Sequence, residues 1–262
     1  MSVTDTPAVS RQLVNGVATL TLNRPRRFNT LSEAMLGALS EALNKLRDEP
    51  SLRCVVIAAA GRAFCTGHDL KEMQAHRDRA CYQDLFKRCG QLMQTIVDFP
   101  LPVIARVHGV ATAAGCQLVA SCDMAVASRS ARFAVSGINV GLFCATPAVA
   151  LSRDIGRKRA LEMLLTGEFI SADTALEWGL VNRVADDERL DEVIDALTAT
   201  LCAKSALALS TGKAMFRRQA ELPLEQAYAF AADTMADNML AEDVNEGISA
   251  FFAKRPAEWR HR

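Results

Sequence analysis

Aromatic residues are scarce in this sequence: Phe, Trp and Tyr together make up 6% of 262 residues. That leaves few rings for the stacking platforms that hold single-stranded nucleic acid. Net charge is absent too, with 30 Lys plus Arg against 30 Asp plus Glu. Without a basic excess or a long basic run, sequence-independent nucleic-acid binding is excluded as the main task. No apolar run approaches the roughly 18 residues of a membrane-spanning helix. The N-terminal segment MSVTDTPAVS shows neither a signal-peptide pattern nor an Arg-rich amphipathic one, so a cytoplasmic location is expected. The eight cysteines (Cys54, Cys65, Cys81, Cys89, Cys116, Cys122, Cys144 and Cys202) form no C-x-x-C pair. Buried reduced thiols are expected, not a disulfide framework or a zinc site. The four histidines show no ligand spacing, so no metal is expected.

Several catalytic signatures are also missing. No G-x-G-x-x-G follows a strand, and no G-x-S-x-G or H-E-x-x-H occurs. Thr211-Gly212-Lys213-Ala214 lacks the first glycine and the closing Ser/Thr of a phosphate-binding loop.

What is present is apolar mass. Half the residues are hydrophobic, enough for a sizeable core, in one domain with an appendage or in two small ones. Asn15-Gly16 predicts a hairpin over 11–23, followed by a stiff basic loop, Arg24 to Phe28. Ser32 should cap a helix with apolar positions at Leu36, Leu39, Leu43 and Leu46, ending before Pro50. The run CVVIAAAG, 54–61, reads as a strand buried on both faces. The rhythm recurs: strand 102–107, helix 115–122, strand 123–127 and a short extended piece at 131–135. Such repeated β–α units imply an α/β fold with parallel pairing. Ser171 and Gly179 should bound another helix. Beyond Leu190 the pattern is helical, with one internal break at Leu222-Pro223-Leu224. Residues 1–195 therefore read as an α/β core and 196–262 as a helical C-terminal region.

Two segments attract chemistry. RAFCTGHDL, 62–70, and TAAGCQ, 112–117, each follow a buried strand and open a short helix. Helix N-termini carry free N–H groups and partial positive charge, suited to an oxygen that becomes negative during reaction. Removing one such donor typically costs about 3–4 kcal/mol of transition-state stabilisation. Tight βα turns also use small residues merely for packing, and spacing alone leaves both readings open.

The collinear pieces NRPRRFNTLS, GRAFCTGHDLKEM, VHGVATAAGCQLVASCDMAVAS, FAVSGINVGL, TGEFISADTALEWGLVNRV and EGISAFFAKRP resemble the enoyl-CoA hydratase/isomerase (crotonase) superfamily. GHDLKE, ATAAGCQLVASCD and GINVGLFC are more similar to the group of enoyl-CoA hydratase domain-containing protein 3. The resemblance implies a crotonase-like spiral of ββα turns and a C-terminal helical trimerisation region, giving a homotrimer or dimer of trimers. It implies an acyl-CoA thioester as ligand, with coenzyme A part of the substrate and no separate cofactor. Motif matching makes the N–H groups of His68 and Ala114 the oxyanion-hole donors, with the His68 side chain expected to point away from the ligand. The CoA arm would run along Arg26 and Phe28, past Ala63, Thr66 and Gly67 to Asp69 and Leu70. Arg26, Arg27, Arg62 and Lys71 would be available for its phosphates. Ser136 and Gly141 would also bind substrate, and Phe251 and Lys254 would lie near the nucleotide. Asp69 and Asp123 match recurrent positions and read as helix-end or turn-stabilising groups.

Family hydratases use two glutamates. Those positions are Gln117 and Gly137 here. A neutral amide cannot take a proton at working pH, and glycine brings no functional group. Losing general acid–base help worth about 10²–10⁴-fold per residue makes ordinary hydration doubtful. Nearby Ser136, Asn139, Cys144 and Thr146 read as scaffold. A decarboxylase or related lyase step is preferred, with non-catalytic acyl-CoA binding and hydration by substitute groups as alternatives. On this reading, Gln117→Glu with Gly137→Glu should raise hydration.

Overall fold

The computed structural model describes residues 6–75 and 77–261; residues 1–5 of the N-terminal segment, His76 and Arg262 lie outside the described residues. Among the described residues, ten strands make two sheets. They are β1 (Val9–Val14), β2 (Val17–Leu22), β3 (Cys54–Ala59), β4 (Ala63–Cys65), β5 (Val103–Val107), β6 (Val110–Thr112), β7 (Met124–Ser128), β8 (Arg132–Ala134), β9 (Ile170–Ser171) and β10 (Arg183–Ala185). The larger sheet runs β1-β2-β3-β5-β7-β10 and the smaller β4-β6-β8-β9. Among the described residues, only β1/β2 and β8/β9 pair antiparallel. Each of β3, β5 and β7 in the large sheet is followed by one strand of the small sheet and then by helix. That ββα repeat is the spiral the resemblance implied.

The helices are α1 (Glu33–Leu46), α2 (Leu70–Ala75), α3 (Arg79–Val97), α4 (Ala114–Ala120), α5 (Ala145–Asp154), α6 (Arg157–Thr166), α7 (Ala172–Trp178), α8 (Leu190–Cys202), α9 (Ala206–Gln219), α10 (Leu224–Met239) and α11 (Glu242–Ala253). Ser32 Oγ accepts from Met35 N at 3.2 Å, and the four predicted leucines of α1 are buried. Ser171 Oγ accepts from Thr174 N at 3.1 Å and Gly179 closes α7.

Why β3 is apolar throughout is now visible. Val55, Ile57 and Ala59 face the main core. Val56, with Ile104 and Val126, faces the other way, onto Leu190, Ile194 and Leu197. Side chains alternate along a strand, so a sheet covered on both faces needs both phases apolar. Each Leu or Ile of α8 buried there contributes roughly 1.5–3 kcal/mol.

The C-terminal region departs from expectation in detail. Residue 195 lies inside α8, which packs on the large sheet. The predicted break at 222–224 exists, but two more occur, at 203–205 and 240–241. The first follows from Ser205, whose Oγ accepts from Ala208 N at 3.2 Å and restarts the chain as α9. Residues Pro25–Arg27, expected as loop, form a short 3₁₀ turn. No single helix among the described residues is long and apolar enough to cross a membrane.

Candidate active site

The two suspect segments touch. After β4 the chain turns through Thr66-Gly67-His68, and after β6 through Ala113. Gly67 has φ +86°, and a Cβ built there would fall 2.9 Å from Ala113 Cβ and 3.3 Å from Ala114 N. Gly115 is tighter still: its Cβ would fall 2.0 Å from the Cys65 carbonyl oxygen. These glycines allow one backbone to lie directly on the other, which any side chain would prevent. Ala113 sits at φ 51°, ψ −122°, a strained conformation for alanine, with its N–H bonded to Ala134 O at 3.1 Å. Among the described residues, neither the His68 nor the Ala114 N–H donates a hydrogen bond to protein. Only half of the two-helix expectation holds, however. Ala114 is the first residue of α4, whereas His68 lies in a loop two residues before α2.

Beside these amides lies a cavity of about 270 Å³. Its walls are Thr66, His68, Leu70 and Met73 on one side, Phe86 of α3, Ala113–Ala114, and Ser136, Gly137, Val140 and Leu142 to Pro147. Among the described residues, no carboxylate lines it. His68 is among the wall residues, and its ring is packed into protein. Its Nδ1 donates to Leu31 O at 3.2 Å, and its ring meets Phe86 edge-on at 5.5 Å between centroids. Nε2 is buried without a partner. Desolvation lowers the imidazole pKa, only partly offset by the bond to Leu31. The resting ring is therefore neutral, with its proton on Nδ1 and a lone pair on Nε2.

The two positions of the family glutamates differ from expectation. Gln117 is 4% exposed, does not line the cavity, and leaves its Oε1 without a partner. Gly137 does line it, but the space for a side chain is occupied. A Cβ there would fall 2.5 Å from Cys144 Sγ and 2.7 Å from Leu142 O. A side chain at position 137 must therefore displace Cys144 Sγ and the Leu142 carbonyl. Ser136 is hydrogen-bonded to Thr112 at 2.8 Å, while Cys144 is buried, its thiol pKa raised by desolvation. Thr146 shares the wall, and Asn139 lies outside it, its amide donating to Gly167 O at 3.4 Å.

Beside the basic turn, Asn29 is a residue the sequence reading passed over. It is fully buried, donates to Ala60 O and Ala63 O at 2.8 and 2.9 Å, and accepts from Arg24 N at 2.8 Å. This staple holds the basic turn against β4. Phe28 carries the Arg62 guanidinium 4.5 Å above its ring, and its carbonyl accepts from Thr66 N at 3.3 Å. Arg26 and Lys71 are exposed. Arg27 reaches Asp69 at 3.8 Å. Asp69 is a helix-end group as expected, accepting from Lys71 N at 2.9 Å. Ala63 lies buried in β4, Thr66 and Leu70 line the cavity, and Gly141 is an exposed turn residue outside it. Phe251 and Lys254 lie exposed at the end of α11, away from the cavity wall. Asp123 does more than hold a turn: it accepts from Val103 N at 2.7 Å and from Lys213 Nζ of α9 at 2.6 Å.

The cysteines are free, with Cys81 exposed and Cys122 and Cys202 part-buried instead of fully buried as expected.

Comparison with known proteins places this geometry. The sequence model of the family described as Enoyl-CoA hydratase/isomerase matches residues 12–262. Human enoyl-CoA hydratase domain-containing protein 3, mitochondrial, is 44% identical, covering 97% of this chain and 84% of that protein. The 1,2-epoxyphenylacetyl-CoA isomerase of Escherichia coli is 34% identical over 93% of this chain and 95% of its own. A crystal structure of an enoyl-CoA hydratase from Mycobacterium smegmatis superposes with a TM-score of 0.95 at 58% identity, covering 97% of this chain and 99% of that one. Relatives of 43–46% identity from frog, rat, fish, mouse and human are named as mitochondrial proteins, which overturns the cytoplasmic expectation. With that match running nearly end to end, the chain belongs to the enoyl-CoA hydratase/isomerase family.

Proposed function

We propose that the protein binds an acyl-CoA thioester with its carbonyl oxygen between the N–H groups of His68 and Ala114. The observation that carries this reading is the contact of the two loops at Gly67 and Ala114 N, with both flanking amides free to donate. Their shared task is to stabilise an enolate oxygen. The cavity wall holds no carboxylate, and the space beside Gly137 is filled. Two-glutamate addition of water is therefore not the reaction this site supports. A lyase step such as decarboxylation fits better: the C–C bond breaks, its electron pair enters the enolate, and the α-carbon is then protonated.

The exposed apolar side chains of the C-terminal helices support assembly into a homotrimer or dimer of trimers. Phe216, Leu224, Tyr228, Met235, Leu240, Phe251 and Phe252 are each about two-thirds or more exposed, more than a lone surface hydrophobe would explain.

The test is a binding and turnover panel of enoyl-, malonyl- and 3-hydroxyacyl-CoAs. Binding with release of CO₂ from a malonyl-type thioester, and no hydration of crotonyl-CoA, is expected. Efficient crotonyl-CoA hydration, or no thioester binding at all, would overturn the reading.

A further inference from the structure

Beyond α11 the chain does not trail away: residues 255–261 fold back along α11 and onto the turn between α8 and α9. Of the 12 residues of α11, only Asp243 and Ala250 are buried. A helix of that length is marginal on its own, and one buried alanine adds little apolar packing. The returning strap adds polar anchors. Asp243 accepts from Arg260 N at 2.7 Å and from His261 N at 3.0 Å. The Glu246 carboxylate accepts both Arg255 terminal nitrogens, at 2.6 and 2.9 Å, and Glu258 N at 2.8 Å. Trp259 lies so close to Gly247 that a Cβ there would fall 3.1 Å from its ring, and its Nε1 donates to Ala203 O at 2.8 Å. His261 closes the strap: its Nδ1 accepts from Ala206 N, the first amide of α9, at 3.1 Å.

That last bond exists in one protonation state only. A ring nitrogen that accepts from an N–H must carry a lone pair, so the imidazole is neutral with its proton on Nε2. The imidazolium would set two donors face to face. We infer that residues 255–261 are an acid-opened clasp: neutral His261 fastens α11 to the α8–α9 turn, and protonation of the ring unfastens it. Among the described residues, the charged groups facing the ring are Asp243 of α11 and Arg53 ahead of β3. Neighbouring Arg260 is paired with Glu242 at 3.5 Å. Desolvation and Arg53 together lower the imidazole pKa from its ordinary 6.5 by more than Asp243 raises it. Desolvation would raise the pKa of Asp243, but the Ser205 hydroxyl and the two strap amides bring it below its ordinary value, so it stays ionised. With a lowered folded pKa at His261, the clasp is closed above 6.5 and is lost as pH falls from there toward the folded value. α11 presents Phe251 and Phe252, each 78% exposed, so opening displaces part of the proposed assembly face; that consequence alone rests on the assembly reading.

Two variants bracket the device. His261→Asn puts a carbonyl oxygen where Nδ1 lies, cannot be protonated, and tolerates the left-handed φ of 62° found there. His261→Gly enters that conformation freely and has no acceptor at all. Hydrogen exchange of the α11 amides is followed by mass spectrometry on the full chain at about pH 7.5 and about pH 5, on either side of the histidine window. Comparing the three proteins at equal pH cancels the intrinsic change of exchange rate. The wild type should track His261→Asn at the higher pH and His261→Gly at the lower one. The glycine variant should exchange up to about tenfold faster than the asparagine variant at both, the factor one hydrogen bond carries. Thermal unfolding at each pH confirms that the three proteins compared are folded. A wild type that tracks the same variant at both pH values, or two variants that exchange alike, overturns the clasp. Light scattering on the same samples reads assembly separately. A single copy at both pH values, with α11 exchange behaving as expected, overturns the assembly reading and leaves the clasp standing.

Discussion

The two sides of the cavity are built on different principles. On one, the 66–68 and 113–115 segments are pressed together so closely that two glycines are obligatory and one alanine is held at positive φ. Nothing there depends on side-chain chemistry, only on where the peptide groups lie. On the other, the 136–147 segment fills the space at Gly137, one of the two positions that motif matching assigned to glutamate. Leu142 O and Cys144 Sγ occupy the space beside Gly137. If the two amides hold a thioester oxygen as proposed, the difference teaches that oxygen binding and proton transfer are separable in this fold. The first is written into backbone contacts that tolerate little; the second is written into side chains, and those have changed.

The largest effect should come from disturbing the backbone side. Gly115→Ala places a Cβ where the Cys65 carbonyl already lies, 2.0 Å away. Helix propensity alone would favour alanine by about 1 kcal/mol. Overpacking against backbone should reverse that sign and lower stability by about 3 kcal/mol or more, together with loss of acyl-CoA binding. Denaturant unfolding checks the first and calorimetry the second. A stabilised variant would mean that the two loops are not in contact.

This asymmetry also sets what was legible in the sequence. The strands, the Ser32 and Ser171 caps and the hairpin follow from local rules, so CVVIAA and Asn15-Gly16 were enough. The closeness of Gly67 to Ala114 was suggested only by motif, since nothing local says that two βα turns will meet. The contact that holds the His68 ring was not legible, because the Leu31 carbonyl lies 37 residues upstream. Asn29 was missed for the same reason: its partners, Ala60 and Ala63, lie on another strand unit. The filled space at Gly137 could not be read either. A glycine reports a missing side chain, not what has moved in.

On the altered side, Gly137→Glu must displace the Leu142 carbonyl and the Cys144 thiol. It should cost about 1–3 kcal/mol, and combined with Gln117→Glu it should still fail to hydrate crotonyl-CoA at a useful rate. Turnover by the double variant would show that this wall opens readily and would erase the contrast.

His68 links the two sides and carries a pH signature. Its pKa is lowered by burial, so the unfolded chain binds a proton there more readily than the folded one. Stability contributed by this residue is therefore lost as pH falls from the ordinary 6.5 toward the lowered folded value. The slope in that window is at most about 1.4 kcal/mol per pH unit. His68→Gln should flatten the fall in melting temperature between neutral pH and that window. An unchanged slope would place the imidazole in solvent.

The smallest effect, and the sharpest probe of the backbone side, is Ala113→Gly. The conformation φ 51°, ψ −122° is one that glycine enters freely and alanine does not, a strain of about 1–3 kcal/mol. Glycine also loosens the unfolded chain, which offsets roughly 0.5–1 kcal/mol of the relief. The net should be a gain of about 1 kcal/mol in stability. If the strain exists to aim the Ala114 N–H, the same variant should bind acyl-CoA several-fold more weakly, because a glycine leaves that peptide free to rotate. Greater stability with weaker binding would mean that alanine is kept at this turn for what it does to its neighbour's amide. Greater stability with unchanged binding would assign the Ala114 direction to the Gly67 and Gly115 contacts alone.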